Sequence, residues 1–191
     1  MKTLARCSVS ALLLAATISL SAPAISAQAM QMEDKPGQPL LSPAATAETT
    51  VAGKPIVIHY NTPSMRGRKI MGGLVPYGQV WRTGANPATS FVTAGDLTIG
   101  DLKVPAGNYT LYTLPEPEGK PWLLILNKQT GQWGTVYKPE MDLGRTPMHS
   151  GKLPASQEVM SISFEKTTPH STELHIKWAL LDEWVKIEAA K

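Results

Sequence analysis

The feature that most narrows the fold of this chain is its punctuation. From residue 49 onward a glycine or proline recurs about every eight to twelve residues, and β-prone runs fill the intervals. No stretch after residue 29 sustains apolar residues at the 3.6-residue spacing of an amphipathic helix. A chain interrupted this often cannot build long helices, but it can build short strands joined by turns. Strands are therefore predicted at 55–60, 88–93, 96–99, 101–104, 108–114, 122–126, 158–165, 172–178 and 183–187. Within 158–165, Val159, Ser161 and Ser163 alternate with Met160, Ile162 and Phe164, the period of a strand with one wet face. Leu174, Ile176 and Trp178 repeat the pattern, whereas 122–126 is apolar throughout, as expected of a strand covered on both faces. Pro105-Ala106-Gly107 is positioned to turn 101–104 back into 108–114 as a hairpin, with Gly107 free to take a positive φ. About nine short strands and no helix predict an all-β domain, a single antiparallel β-sandwich of jelly-roll or immunoglobulin-like type.

Ahead of that domain the pattern changes. Lys2 and Arg6 are followed by an apolar run from Val9 to Leu20 and then by small residues to Ala29, the order of a secretory signal peptide. Ala27-Gln28-Ala29 places alanine at both positions read by the peptidase, and Ala22-Pro23-Ala24 is a weaker site. The run is too short for a permanent anchor, so no stable membrane insertion is expected after cleavage. Cys7 precedes the run, on the wrong side for lipidation. Residues 1–29 are thus predicted to be removed, 30–48 to be a flexible leader rich in Pro, Gln and Ala, and 49–191 to be the β domain. A periplasmic or secreted location follows as an expectation.

Cleavage alters two bulk readings. Lys2 and Arg6 leave 16 of the 18 basic residues against 15 acidic ones, a net charge near +1. With no clustered basic face, nucleic acid is not an expected partner. Cys7 is the sole cysteine, so the mature chain would hold no disulfide and would rely on its core.

Several blocks occur in a distinctive order: PSMRGRKIMGGLVPYGQVWRTGAN, TIGDLKVPAGNYTLYTLP, WLLILNKQTGQWG, MDLGRTPM and SISFE. Together, over about residues 49–188, they resemble an uncharacterised exported bacterial family, domain-of-unknown-function family 2911. The resemblance implies a bacterial, exported, mostly β domain. It brings no catalytic residues with it.

Any site must therefore be read from the residues. The densest stretch is GGLVPYGQVWRTGAN, 72–86. Arg82 beside Trp81 offers a planar fork of donors suited to a carboxylate or sulfate. Thr83 and Asn86 can add neutral hydrogen bonds, and Gly84 permits close backbone approach. An architectural reading stands beside this one: Arg82 paired with a buried carboxylate such as Asp142, and Asn86 shaping the turn before Pro87. His59 and Tyr60 are candidate wall residues, and Trp133, flanked by glycine in TGQWGT, is a candidate stacking platform for a sugar. Trp122 and Trp178 lie in apolar runs and are expected in the core.

Other chemistry finds less support. There is no GxxxxGK or GxGxxG loop and no HExxH or paired-cysteine spacing, so no cofactor or resident metal is predicted. Met148-His149 is the nearest approach to a soft copper site, a minor alternative. No GxSxG elbow is present, and Asp182-Glu183, adjacent on a strand, would point apart. The cluster Arg66, Arg68 and Lys69 reads as a solvated loop. The expectation is a binding module for a small polar or anionic ligand or a carbohydrate. The alternative is a hydrolase-like enzyme centred on Arg82 and Asn86.

Overall fold

The computed structural model describes residues 41–190. The predicted signal peptide and most of the predicted leader, residues 1–40, lie outside the described residues. Two antiparallel sheets pack face to face. The larger contains β1 (Ala44–Val51), β2 (Lys54–Asn61), β3 (Thr89–Thr93), β6 (Gly107–Leu114), β7 (Leu123–Asn127) and β8 (Asp142–Pro147), in that spatial order. The smaller runs β5 (Leu102–Val104), β4 (Leu97–Ile99), β10 (Ser171–Ala189) and β9 (His149–Glu165). The predicted all-β sandwich is the observed architecture.

Alternation builds the core between the sheets. Ile56, Ile58 and Tyr60 of β2 point inward with Phe91, Leu111, Leu124 and Leu126 of the neighbouring strands. Leu97, Ile99, Leu174, Ile176, Trp178 and Ile187 face them from the smaller sheet. The β7 run is buried as predicted: Leu124, Ile125 and Leu126 are fully covered although they alternate between faces. The loop 128–141 lies over the outer face, where Tyr112 donates to the Val136 carbonyl (2.8 Å). Both sides of the sandwich are tied. Residues 63–65 run along the edge of β9, with Met65 N–H bonded to Glu158 O and Met160 N–H to Pro63 O. Opposite, the Asp101 N–H donates to Thr146 Oγ1 at 3.3 Å.

Four expectations are corrected. The first strand begins at Ala44, so the end of the predicted leader is an edge strand of the larger sheet. Its small and polar residues bury only Ala47 and Val51, too few to mark a strand by composition. Pro105-Ala106-Gly107 does not close a hairpin, because β5 and β6 belong to different sheets and Gly107 has no positive φ. The hairpin is instead β4–β5, turned at Gly100 (φ 57) and Asp101. The predicted strands 172–178 and 183–187 are one 19-residue strand, and 158–165 is the end of a 17-residue one. β10 stays continuous across an irregularity at Ala179, where the register with β9 shifts twice.

Candidate functional site

Residues 81–87 lie against the end of β6. Trp81 and Thr113 exchange backbone hydrogen bonds of 2.8 and 2.9 Å, and the Trp81 indole stacks on Trp178 at 5.8 Å. Thr83 is fully buried with a left-handed backbone (φ 53). Its hydroxyl lies 3.1 Å from Thr113 Oγ1, and its carbonyl accepts from Thr89 Oγ1 at 2.9 Å. A Cβ on Gly84 would meet Thr89 Oγ1 at 3.0 Å and the Asn61 carbonyl at 3.1 Å, so a larger residue there would push on these neighbours. Asn86 is also left-handed (φ 59), and its carbonyl accepts from Gly134 N–H at 3.2 Å. Thr83 is therefore turned into the fold, and the contact seen for Asn86 is a backbone one.

Arg82 behaves differently from the residues around it. Its side chain crosses Gly134 so closely that a Cβ there would overlap Arg82 Cδ. Nε is buried and has no hydrogen-bond partner, and burial lowers the guanidinium pKa. No carboxylate pairs with it among the described residues. The Asp142 partnership is corrected by the structure: Asp142 accepts from Arg145 Nη2 (2.9 Å), Tyr137 OH (2.7 Å) and Asn127 Nδ2 (2.9 Å). Arg145 lies three residues from Asp142 and in the same strand, so the local pair forms at little cost in order. Burial, followed by the hydrogen bond to Asp142 and its charge, pushes the Tyr137 phenol up to about 12.

The neighbour of this segment is 128–134, joined to it by the Pro87–Trp133 bridge and by Ala88 N–H to Gln132 O. Gln132 Nε2 donates to Tyr112 OH (2.9 Å) and Thr110 Oγ1 (3.1 Å), while its Oε1 and that of Gln129 are buried without partners. Trp133 is 56% exposed, so the predicted platform is open to solvent. Two adjoining segments thus carry an unpaired cationic donor, two unpaired acceptors and an exposed indole. The sequence pointed to Arg82 and Trp133 but missed Gln129, Gln132 and Gly134, for which the glycine-flanked TGQWG was the one available signal.

The remaining candidates disperse. His59 and Tyr60, adjacent on β2, face opposite ways. His59 Nδ1 lies 3.1 Å from Thr46 Oγ1 on the outer face, while the buried Tyr60 hydroxyl accepts from Ile162 N–H at 3.0 Å. They cannot share one wall, and Tyr60 is a tie between the sheets. Met148 is buried whereas His149 stacks on Trp184 (4.3 Å), and no metal-holding group of His, Cys, Asp and Glu occurs among the described residues. Arg66 and Arg68 are exposed and donate to the carbonyls of Leu41 and Ser64. Asp182 and Glu183 point apart as expected. Asp182 meets His175 Nδ1 at 2.7 Å on the outer face, and Glu183 meets Ser150 Oγ at 2.7 Å on the inner one.

A family model described as protein of unknown function (DUF2911) matches residues 42–187. The match covers well over half of the chain, and the protein belongs to this family. No curated protein and no solved structure matches it.

Proposed function

Taking membership of this family of unknown function as the premise, we propose that the domain is an exported, non-catalytic binding module for a small organic anion. Arg82 would hold the charge and Trp133 the apolar face of the ligand. The observation that carries the reading is the Arg82 side chain, half-buried, with Nε unpaired and no carboxylate partner among the described residues. A partly buried cation with an unpaired donor is costly, and an incoming carboxylate or sulfate would supply both the charge and the missing hydrogen bond. An acidic sugar unites the two requirements, since its carboxylate suits the guanidinium fork and its apolar face suits an exposed indole.

Calorimetric titration with glucuronate and with glucose at low salt tests the proposal. Glucuronate is expected to bind saturably, glucose at least tenfold more weakly, and Arg82→Ala to remove the difference. Glucuronate binding unchanged by Arg82→Ala, or no heat from wild type, would overturn it.

A further inference from the structure

A second uncompensated charge lies well away from Arg82 in the sequence, at the irregularity in β10. Before Ala179 the inward residues are Leu174, Ile176 and Trp178, and after it they are Glu183, Val185 and Ile187. The phase of the strand changes by one residue there. Ala179 takes a left-handed backbone (φ 53), a conformation that costs an alanine energy. Irregularities of this kind re-aim side chains, and strained ones gather at functional sites. The result here is that an acid, Glu183, occupies a position of the inner face and is 2% exposed.

Glu183 lines a cleft of about 420 Å³. One of its oxygens accepts from Ser150 Oγ across the β9–β10 pair, and no cation pairs with it among the described residues. Trp122 and Leu181 supply apolar wall, and Tyr77 and Leu180 stand exposed at the rim, 40% and 43% accessible. Besides Glu183, the lining carries four charged residues. Glu116 and Glu118 are matched in number by Lys120 and Lys152, so the cleft is neutral with Glu183 protonated and carries one negative charge when it ionises.

We propose that this cleft is a separate ligand site, selective for a small organic ammonium ion with an apolar body. Such a cation would restore neutrality beside the Glu183 carboxylate and pack its body on the aromatic and aliphatic walls. Ammonium groups are attracted to aromatic faces as well as to carboxylates.

The chemistry sets a pH dependence. Burial raises the Glu183 pKa, the Ser150 hydrogen bond opposes it and the Asp182 charge adds to it, leaving the group at about 7. At neutral pH about half of the sites hold that proton, and a cation entering displaces it from them. Apparent affinity falls with the fraction of sites in the binding-competent, ionised form.

Benzylamine, cationic across the range used, and benzyl alcohol, its neutral counterpart, are suitable probes. Titration would be followed by amide chemical shifts of the exported chain at pH 5.5 and pH 8. Benzylamine should shift Gly151, Lys152 and Leu181 saturably and bind roughly tenfold or more tightly at pH 8. Benzyl alcohol should show no such pH dependence. Glu183→Gln keeps the shape and a partner for Ser150, and should abolish the pH dependence and weaken benzylamine to the level of benzyl alcohol. Equal binding of the two probes, shifts confined to other residues, or a Glu183→Gln variant that retains the wild-type pH profile would each overturn the proposal. If that variant fails to fold, the wild-type comparison of the two probes at the two pH values decides alone.

Discussion

Replacing Arg82 separates a ligand-facing guanidinium from a structural one by stability alone. Where an arginine neutralises a buried carboxylate, its removal strands that charge and costs about 3–5 kcal/mol. Arg82 has no such partner among the described residues. Two smaller terms remain. Arg82→Ala would lose the packing of the side-chain stem across Gly134. At about 0.8 kcal/mol per fully buried methylene, a half-buried stem is worth about 1 kcal/mol. Against this, the buried and unpaired Nε is removed. Such an unsatisfied donor costs about 1–3 kcal/mol, so its loss is a gain of similar size to the packing term. The net change is expected to lie between about zero and a gain of about 2 kcal/mol, so the melting midpoint should not fall and should rise by at most roughly 8 °C. Arg82→Met keeps an apolar stem and drops the guanidinium, and should match or slightly exceed wild type. Urea unfolding of the three proteins, followed by tryptophan fluorescence, measures these differences directly. A loss of about 3 kcal/mol or more in Arg82→Met would refute the reasoning, since it would reveal an ionic partner for Arg82.

Three further outcomes are expected. Tyr60→Phe leaves the buried Ile162 N–H without its acceptor and should cost about 1–3 kcal/mol in urea unfolding, with little change if the tie is unimportant. For Glu183 the folded-state pKa of about 7 lies above the ordinary 4.5, so the folded state holds the proton more tightly. Its contribution is therefore fully present below about pH 4.5 and is lost as pH rises to about 7, by up to about 3 kcal/mol. Wild type measured against Glu183→Gln should show that slope, and parallel stability curves for the two would contradict it. Export with cleavage after Ala29 predicts that mass spectrometry of the secreted fraction will give a chain beginning at Met30, and a chain retaining Met1 there would refute cleavage.

What was legible in the sequence was local. The alternation in β9 and at the start of β10 could be read because Met160 and Ile162, and likewise Leu174, Ile176 and Trp178, are spaced two apart within their strands and face one core. β1 and β8 were illegible because they are edge strands, where few side chains are buried and Gly144 and Pro147 are tolerated. The Pro105–Gly107 turn was misread for a related reason. Its residues report that the chain bends, but the sheet it bends into is chosen by distant partners.

The same distinction explains why the two candidate sites differed in visibility. Arg82 stood out because a charge beside Trp81 in a glycine-rich loop is locally odd. Its supposed partner was wrong because Asp142 finds Arg145 and Tyr137 within a few residues of chain, a cheaper arrangement than a contact across 60 residues. Glu183 did not stand out. Ala179-Leu180-Leu181 is apolar in either phase, so alternation could not show that the strand slips there and turns the acid inward. Once the slip is known, the two positions have the same physical character. Each is an ionisable side chain that the fold covers, Glu183 almost fully and Arg82 in part, without an opposite charge among the described residues. Local pairing is easy for a chain with nearly balanced charges, as Arg145 with Asp142 and Lys177 with Glu165 demonstrate. Leaving these two unpaired lowers stability, and the two proposed ligands, one anionic and one cationic, would each supply the missing charge.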